Sequence, residues 1–363
     1  MNHLRSKYKR LTPDPRKNEP YIQILNPESY EKWDDEIYMV HNSSVFHSVA
    51  WAKVLSDSYH YTPCYLVSYD EDKLSTIVPM MDIKSFLTGS RGVSLPFTDY
   101  CDPLISEGLN FQDILDQIIQ YAKKHNWKFI ELRGGDKYLP DAVPSSRFFG
   151  HRLNLSHKEN EIYKLFKNTF KRNIKKAASS GVTINFFTTL QAIKEFYRLN
   201  CITRKRHGLP PQPYFFFEKI YEHIVSKKIG IVVLASYNNK YIAGAIFFHF
   251  GDEAIYKYGA SDMNYQNLRP NNLVMWEAIK WYAQKEYKTL SLGRTEPENH
   301  GLRQFKLGMG AQEYSIKYYR YDLKSGSFVK EPEKVSPFLA KAFGKLPVFA
   351  LKIIGTLYYR HAG

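Results

Sequence analysis

A chain of 363 residues is long enough for two domains of ordinary size, and a content of 44% hydrophobic and 15% aromatic residues excludes an intrinsically disordered protein. A formal charge of +15 favours phosphate-bearing partners such as nucleic acid, anionic lipid or a nucleotide-linked substrate, beside the plainer reading of a basic surface kept for solubility. Cys64, Cys101 and Cys201 stand far apart without CxxC spacing, which excludes a disulfide framework and a zinc site and fits a reducing cytosol.

Residues 1–20 read as a loose basic tail, since no apolar run follows the positive charge as a secretory signal requires. No stretch reaches about 18 uncharged apolar residues, so no transmembrane helix is expected. In the first half, "TPCYLVSY" (62–69) and "LSTIVPMMDI" (74–83) read as strands around the turn "DEDK". "NFQDILDQIIQYAKKHNW" (110–127) puts Phe111, Ile114, Leu115, Ile118, Ile119 and Ala122 on one helical face, and "KFIEL" (128–132) is a further strand.

Between the halves, residues 156–182 read as one basic helix. Ser156 with Glu159 forms a capping-box pattern and Gly181 suits the position beyond the helix end. Ile162, Leu165, Phe166, Thr169, Ile174 and Ala177 make its buried stripe, while Lys164, Lys167, Lys171, Arg172, Lys175 and Lys176 make the rest a solvated or a phosphate-facing surface.

The second half is easier to divide. Strands over 231–237, 241–250 and 254–261 form a meander, followed by a helix over 271–287, a strand over 289–295, a short helix in "GLRQFKLG" and a strand over 312–323. The order β-β-β-α-β-α-β matches that of the GNAT acyltransferase fold, and the first half is a fainter copy of it. The expected architecture is α+β: two tandem GNAT-like domains, 21–150 and 151–325, each a mixed, mostly antiparallel sheet flanked by helices. The last segment, 326–363, mixes Phe, Leu and Ile with Lys341, Lys345, Lys352 and Arg360. It suits either packing on the second domain or an amphipathic helix at an anionic membrane surface, broken near Pro347.

Taken in order, "FKRNIKKAASSGVTI", "YIAGAIFFHF", "YKYGASD", "LRPNNLVMWEAIKWYAQ" and "LGRTEPENHGLRQFKLGMGA" resemble the FemAB-like family of tandem-GNAT acyltransferases over about residues 20 to 325. The resemblance implies a cleft between two GNAT-like domains where an activated acyl group, carried by acyl-CoA or aminoacyl-tRNA, passes to an amine. In the peptidoglycan members that amine belongs to a cell-wall precursor. The family's Phe-Lys pair corresponds to Phe305 and Lys306, which places an ammonium where the attacked carbonyl becomes an oxyanion; a lysine packing its stem and reaching solvent with its head is the structural alternative. A family acidic position proposed as base corresponds to Asp99 or Asp102 in "PFTDYCDP", where either aspartate also suits a turn. Arg172, Arg204 and Arg206 are candidates for phosphates of the acceptor. Tyr256 and Tyr258, expected on one face of their strand, are either near substrate, as family precedent implies, or core aromatics.

The chain departs from an ordinary GNAT enzyme at "NLRPNNL", which has no GxG and in which Pro270 removes an amide from the pyrophosphate-binding position. Arg269, Asn271 and Asn272 still offer an anion site there. "GSRG" (89–92) reads as a turn, and residues 196–224 leave no room for the two-helix arm of some tRNA-dependent members. There is no HExxH, Walker loop, GxSxG or Cys/His cluster, so no metal is expected. The expectation is a cytoplasmic acyltransferase, peripheral at the inner face of the membrane, acting on an amine-bearing envelope precursor or glycan and possessing no bound cofactor. A non-catalytic nucleic-acid- or lipid-binding module on the same scaffold is the alternative.

Overall fold

The computed structural model describes residues 22–155, 158–330 and 337–363, without the side chains of 337–340. The basic stretch 1–20 and the capping residue Ser156 lie outside the described residues.

In the first half, after a short strand at Gln23–Leu25 and helices at Trp33–Tyr38 and Val49–Tyr59, comes the hairpin β1 (Tyr65–Asp70) and β2 (Lys73–Val78). The single strand expected over 74–83 is in fact two, because β3 (Met81–Ile83) belongs to a different sheet from β2. Pro79 has no amide to continue the ladder, and the chain crosses between sheets there. Then come β4 (Arg91–Val93), α1 (Phe111–Lys124), β5 (Phe129–Arg133) and β6 (Ser146–Asn154). The Asn110 side chain caps α1 by accepting from the Gln112 amide at 3.0 Å. The helix buries Phe111, Ile114, Leu115, Ile118 and Ala122 against Ile130 and Leu132 of β5, as the periodicity predicts.

The basic linker is two helices, α2 (Glu159–Leu165) and α3 (Asn168–Ser179). Phe166 and Lys167 between them are extended, with ψ of 139° and 147°, and the Lys167 amide donates to the Gly308 carbonyl at 2.9 Å. Leu165 and Thr169, expected in the buried stripe, flank the break and are exposed, while Ile162, Phe166, Phe170, Ile174 and Ala177 are buried.

The second half contributes β7 (Thr183–Phe187), α4 (Leu190–Arg206), β8 (Gly230–Tyr237), β9 (Lys240–Phe250) and β10 (Glu253–Ser261). It continues with α5 (Pro270–Gln284), β11 (Thr289–Thr295), α6 (His300–Leu307) and β12 (Gln312–Asp322). Its meander, the helices α5 and α6 and the closing strands follow the sequence reading to within a few residues, whereas α4 was not read from the sequence.

One long sheet runs β7-β8-β9-β10-β11-β6-β12-β5-β4-β3 and ends on Thr62–Pro63. A smaller sheet joins Gln23–Leu25, β1, β2 and Leu104–Ile105. The halves exchange their last strands: β6 pairs with β11, and β12 lies between β6 and β5. Strand β6 runs through residues 150 and 151, where the boundary between domains was expected. The largest core is likewise shared, with Trp33, Trp51 and Tyr65 of the first half packed among Phe196, Phe216, Phe217 and Phe248 of the second. Helices α7 (Pro337–Lys345) and α8 (Val348–Tyr358) end the chain.

Candidate active site

Strands β10 and β11 pair in parallel over only three residues, Glu253–Ile255 against Thr289–Ser291, and then part. Each carries an irregularity just beyond. On β10, Ile246 faces Tyr258 while its neighbour Phe247 faces Tyr256, so Lys257 is an extra residue bulged out of the ladder. The bulge corrects the expectation that Tyr256 and Tyr258 share a face. Tyr256 packs against Phe247 in one core, and Tyr258 packs against Phe217 in the other, its buried hydroxyl without a partner. On β11 the register with β6 shifts between Ser291 and Arg294, and Gly293 takes a φ of +69°. A side chain there would begin 3.2 Å from the Asp99 carboxylate, so glycine serves both the backbone turn and the close approach.

The parted strands hold a group of charges. Lys257, only 4% exposed, donates to the Phe97 carbonyl at 2.6 Å and to Asp99 Oδ2 at 3.1 Å. Lys306, only 2% exposed, reaches from α6 and donates to the carbonyls of Gly293 and Arg294, both at 2.9 Å. Arg294 donates to the Tyr318 hydroxyl at 2.9 Å, which in turn donates to the Asp99 carbonyl at 2.6 Å. Three cations, Lys257, Arg294 and Lys306, thus surround one carboxylate. Burial pushes the Asp99 carboxyl up, but these three together outweigh it and hold it below the usual range. Burial depresses both lysines, in opposition to Asp99, and brings Lys306 down to about 8. An ammonium with that value is charged at neutral pH yet able to give up its proton. Fixed positive charge in a water-poor site is suited to stabilising an oxyanion.

Phe305 faces the other way. Its ring lies 5.5 Å from that of Phe170 and lines a cavity of about 280 Å³ with Lys167, Asn173, Gln304, Arg269, Asn271 and Asn272. Phe305 and Lys306 thus diverge: adjacent residues of a helix point about 100° apart, and here one lines the cavity while the other is buried on β11. Arg269, Asn271 and Asn272 do converge, at the N-terminus of α5, where backbone amides favour an anion.

The remaining candidates lie elsewhere. Asp102 accepts from the Gly135 amide at 2.7 Å and holds a turn; burial raises its carboxyl. Arg204 donates to the Tyr359 hydroxyl at 2.6 Å and to the Pro210 carbonyl, anchoring the C-terminal segment. Arg206 is exposed beside His207, and Arg172 is exposed on α3. Lys257, Arg294 and Tyr318 were not singled out from sequence. Lys257 and Arg294 fall inside the motifs "YKYGASD" and "LGRT", but only the bulges reveal that Lys257 is aimed at Asp99 and that Arg294 reaches Tyr318 beside it.

Residues 164–315 match the acetyltransferase (GNAT) domain family. The chain is 30% identical over 132 residues to the lipid II:glycine glycyltransferase of Staphylococcus haemolyticus (strain JCSC1435), a match covering 34% of this chain but only 31% of that protein. It is 19% identical over 303 residues to the UDP-N-acetylmuramoylpentapeptide-lysine N(6)-alanyltransferase of Weissella viridescens, covering 77% of this chain and 88% of that one. Among solved structures, FemX superposes with a TM-score of 0.65 at 13% identity, over 82% of this chain and 96% of FemX. A tandem GNAT protein from the clavulanic acid biosynthesis pathway superposes with a TM-score of 0.56 at 8% identity, over 87% of this chain and all of that one. With the GNAT match confined to the second half and the structural likeness running through both, the chain shares the tandem-GNAT fold of FemX and carries a GNAT acetyltransferase domain in its second half.

Proposed function

We propose that the protein transfers an acyl or aminoacyl group from an activated donor to an amine of a cell-envelope precursor or glycan. The observation that carries this reading is the buried Lys306 ammonium beside Lys257, Arg294 and the Asp99 carboxylate. The two relatives named above are a glycyltransferase and an alanyltransferase, which supports an aminoacyl group as cargo. The donor is an ester or thioester, aminoacyl-tRNA or acyl-CoA, and the phosphates of donor or acceptor meet Arg269, Asn271, Asn272 and Lys167 in the cavity beside Phe305.

The chemistry then runs as follows. The acceptor nitrogen gives its lone pair to the carbonyl carbon, and the π pair of that carbonyl moves to oxygen, where Lys306 offers a hydrogen bond and a positive charge. Collapse of the tetrahedral species re-forms the carbonyl and expels the donor's oxygen or sulfur, and the proton lost by the amine ends on that leaving group. Asp99, held ionised by three cations, is a weak base; its part is to keep Lys257 and Lys306 in place. The chain works in the cytoplasm against the inner face of the membrane, where a lipid-linked acceptor presents its amine.

Incubating the full chain with acyl-CoAs, charged tRNAs and candidate acceptors, followed by mass spectrometry, identifies the donor class. Lys306→Met should lower kcat by ~10²–10³ and leave KM within a few-fold. Turnover equal to the native chain would remove Lys306 from the mechanism, and consumption of no donor would favour the binding-module alternative.

A further inference from the structure

Among the described residues twelve large hydrophobic side chains are exposed, and six of them, Phe86, Leu87, Phe349, Ile353, Leu357 and Tyr358, lie on two adjoining segments. Helix α8 has a buried side, where Val348, Leu351, Gly355 and the following Tyr359 dock on the body of the protein. The docking is close: a side chain at 355 would begin 2.0 Å from the Pro211 carbonyl oxygen. Phe349, Ile353 and Leu357 recur every four residues on the opposite side, a helical stripe left exposed among the described residues.

The stripe continues onto the loop at Phe86 and Leu87. The Phe86 ring meets His361 edge-on at 4.7 Å, and the Thr88 hydroxyl donates to the His361 carbonyl. Arg91, itself buried, donates to the carbonyls of His361 and Gly363, so the loop and the end of α8 are held as one surface. The surroundings are cationic. Lys341, Lys345, Lys352 and Arg360 are exposed, and residues 337–363 contain no Asp or Glu. Lys84, next to Phe86, is exposed and makes only a 3.9 Å ion pair with Asp82. Glu218 is the one acidic residue in the groove beside Lys352.

We propose that α8 and the Phe86–Leu87 loop together form a surface that lies in the interface of an anionic lipid bilayer. An apolar stripe bordered by lysine and arginine matches that boundary on both counts, since the ring and aliphatic groups leave water while the cations meet lipid phosphates. A protein partner of ordinary composition needs no such excess of one charge. No described helix is long and apolar enough to cross the membrane, so the surface lies on the bilayer and does not span it. The inference gives a location to the peripheral placement proposed above and rests on none of its chemistry.

The test is flotation of the full chain with phosphatidylcholine vesicles, with and without phosphatidylglycerol. The expected result is binding to the anionic vesicles only, weakened by salt, and weakened about tenfold or more in the combined Phe349→Ser, Ile353→Ser and Leu357→Ser variant. Phe86→Ser with Leu87→Ser should weaken it independently. Circular dichroism and the thermal midpoint establish that the variants fold, and transfer to a water-soluble acceptor should be unchanged in them, which keeps failure of this surface distinct from failure of the transferase reading. Absence of binding to anionic vesicles would overturn the proposal. So would native-like binding by the triple variant, or a native dimer that this variant converts to a monomer, which would make the stripe a contact between copies.

Discussion

Lys306 and Asp99 balance each other. Lysine normally titrates near 10.4, so a folded value of about 8 means that burial makes the folded state release this proton early. The sign for stability follows. Below about pH 8 the folded chain bears the full cost of the buried ammonium; between about 8 and the ordinary lysine value the unfolded chain binds the proton more tightly, so the Lys306 contribution to unfolding free energy rises with pH. Activity should move the opposite way, because the charge that holds the oxyanion disappears. We expect kcat/KM to fall above an apparent value near 8, with that limb displaced upward in Lys306→Arg; a profile flat to pH 10 would contradict the assignment. Asp99, with its depressed value, contributes stability above the ordinary aspartate range and loses it as pH falls through that depressed value. Asp99→Asn leaves the buried Lys257 and Lys306 without their carboxylate and should cost ~3–5 kcal/mol in urea unfolding.

At the scale of the element, two irregularities do more to build the site than any regular segment. The extra residue on β10 aims Lys257 at Asp99, and the Phe166–Lys167 break brings α3 against the turn after α6. The same turn contains Gly310, with φ of +72° and space for a side chain only 2.7 Å from Leu165 Cβ and 2.8 Å from its carbonyl oxygen. Gly310→Ala should therefore destabilise by ~1–3 kcal/mol and loosen α3, visible as faster hydrogen exchange in residues 168–179. These features also mark the limit of what could be read in advance. Helix and strand spans came out well, because α1 and the meander carry an uninterrupted period in their apolar residues. A bulge or a two-residue break leaves that period almost intact: Ile162, Phe166, Phe170 and Ile174 remain buried on either side of the break. So the residues of the site were partly legible, Lys306 and Asp99 among them, while Lys257 and the opposed directions of Tyr256 and Tyr258 depended on one unpaired residue that alternation does not register.

For the whole molecule, the exchange of β6 and β12 makes two repeated halves into one structure. Each half places a strand in the sheet of the other, and the largest core draws on both. Heating should give one cooperative transition with calorimetric and van't Hoff enthalpies in agreement, and residues 22–150 expressed alone should fail to fold; two resolved transitions would argue for independent domains. The exchange also holds the charges in place, since Asp99 comes from the first half and Lys257, Arg294 and Lys306 from the second.

The position of β12 also matters during synthesis. The edge of β5 that faces β12 has no strand to pair with until residues 318–322 leave the ribosome, and the β6 residues that face β12 wait just as long. While the second half is being made the nascent chain therefore carries two unpaired strand edges, a state prone to aggregation and a natural point for chaperone capture.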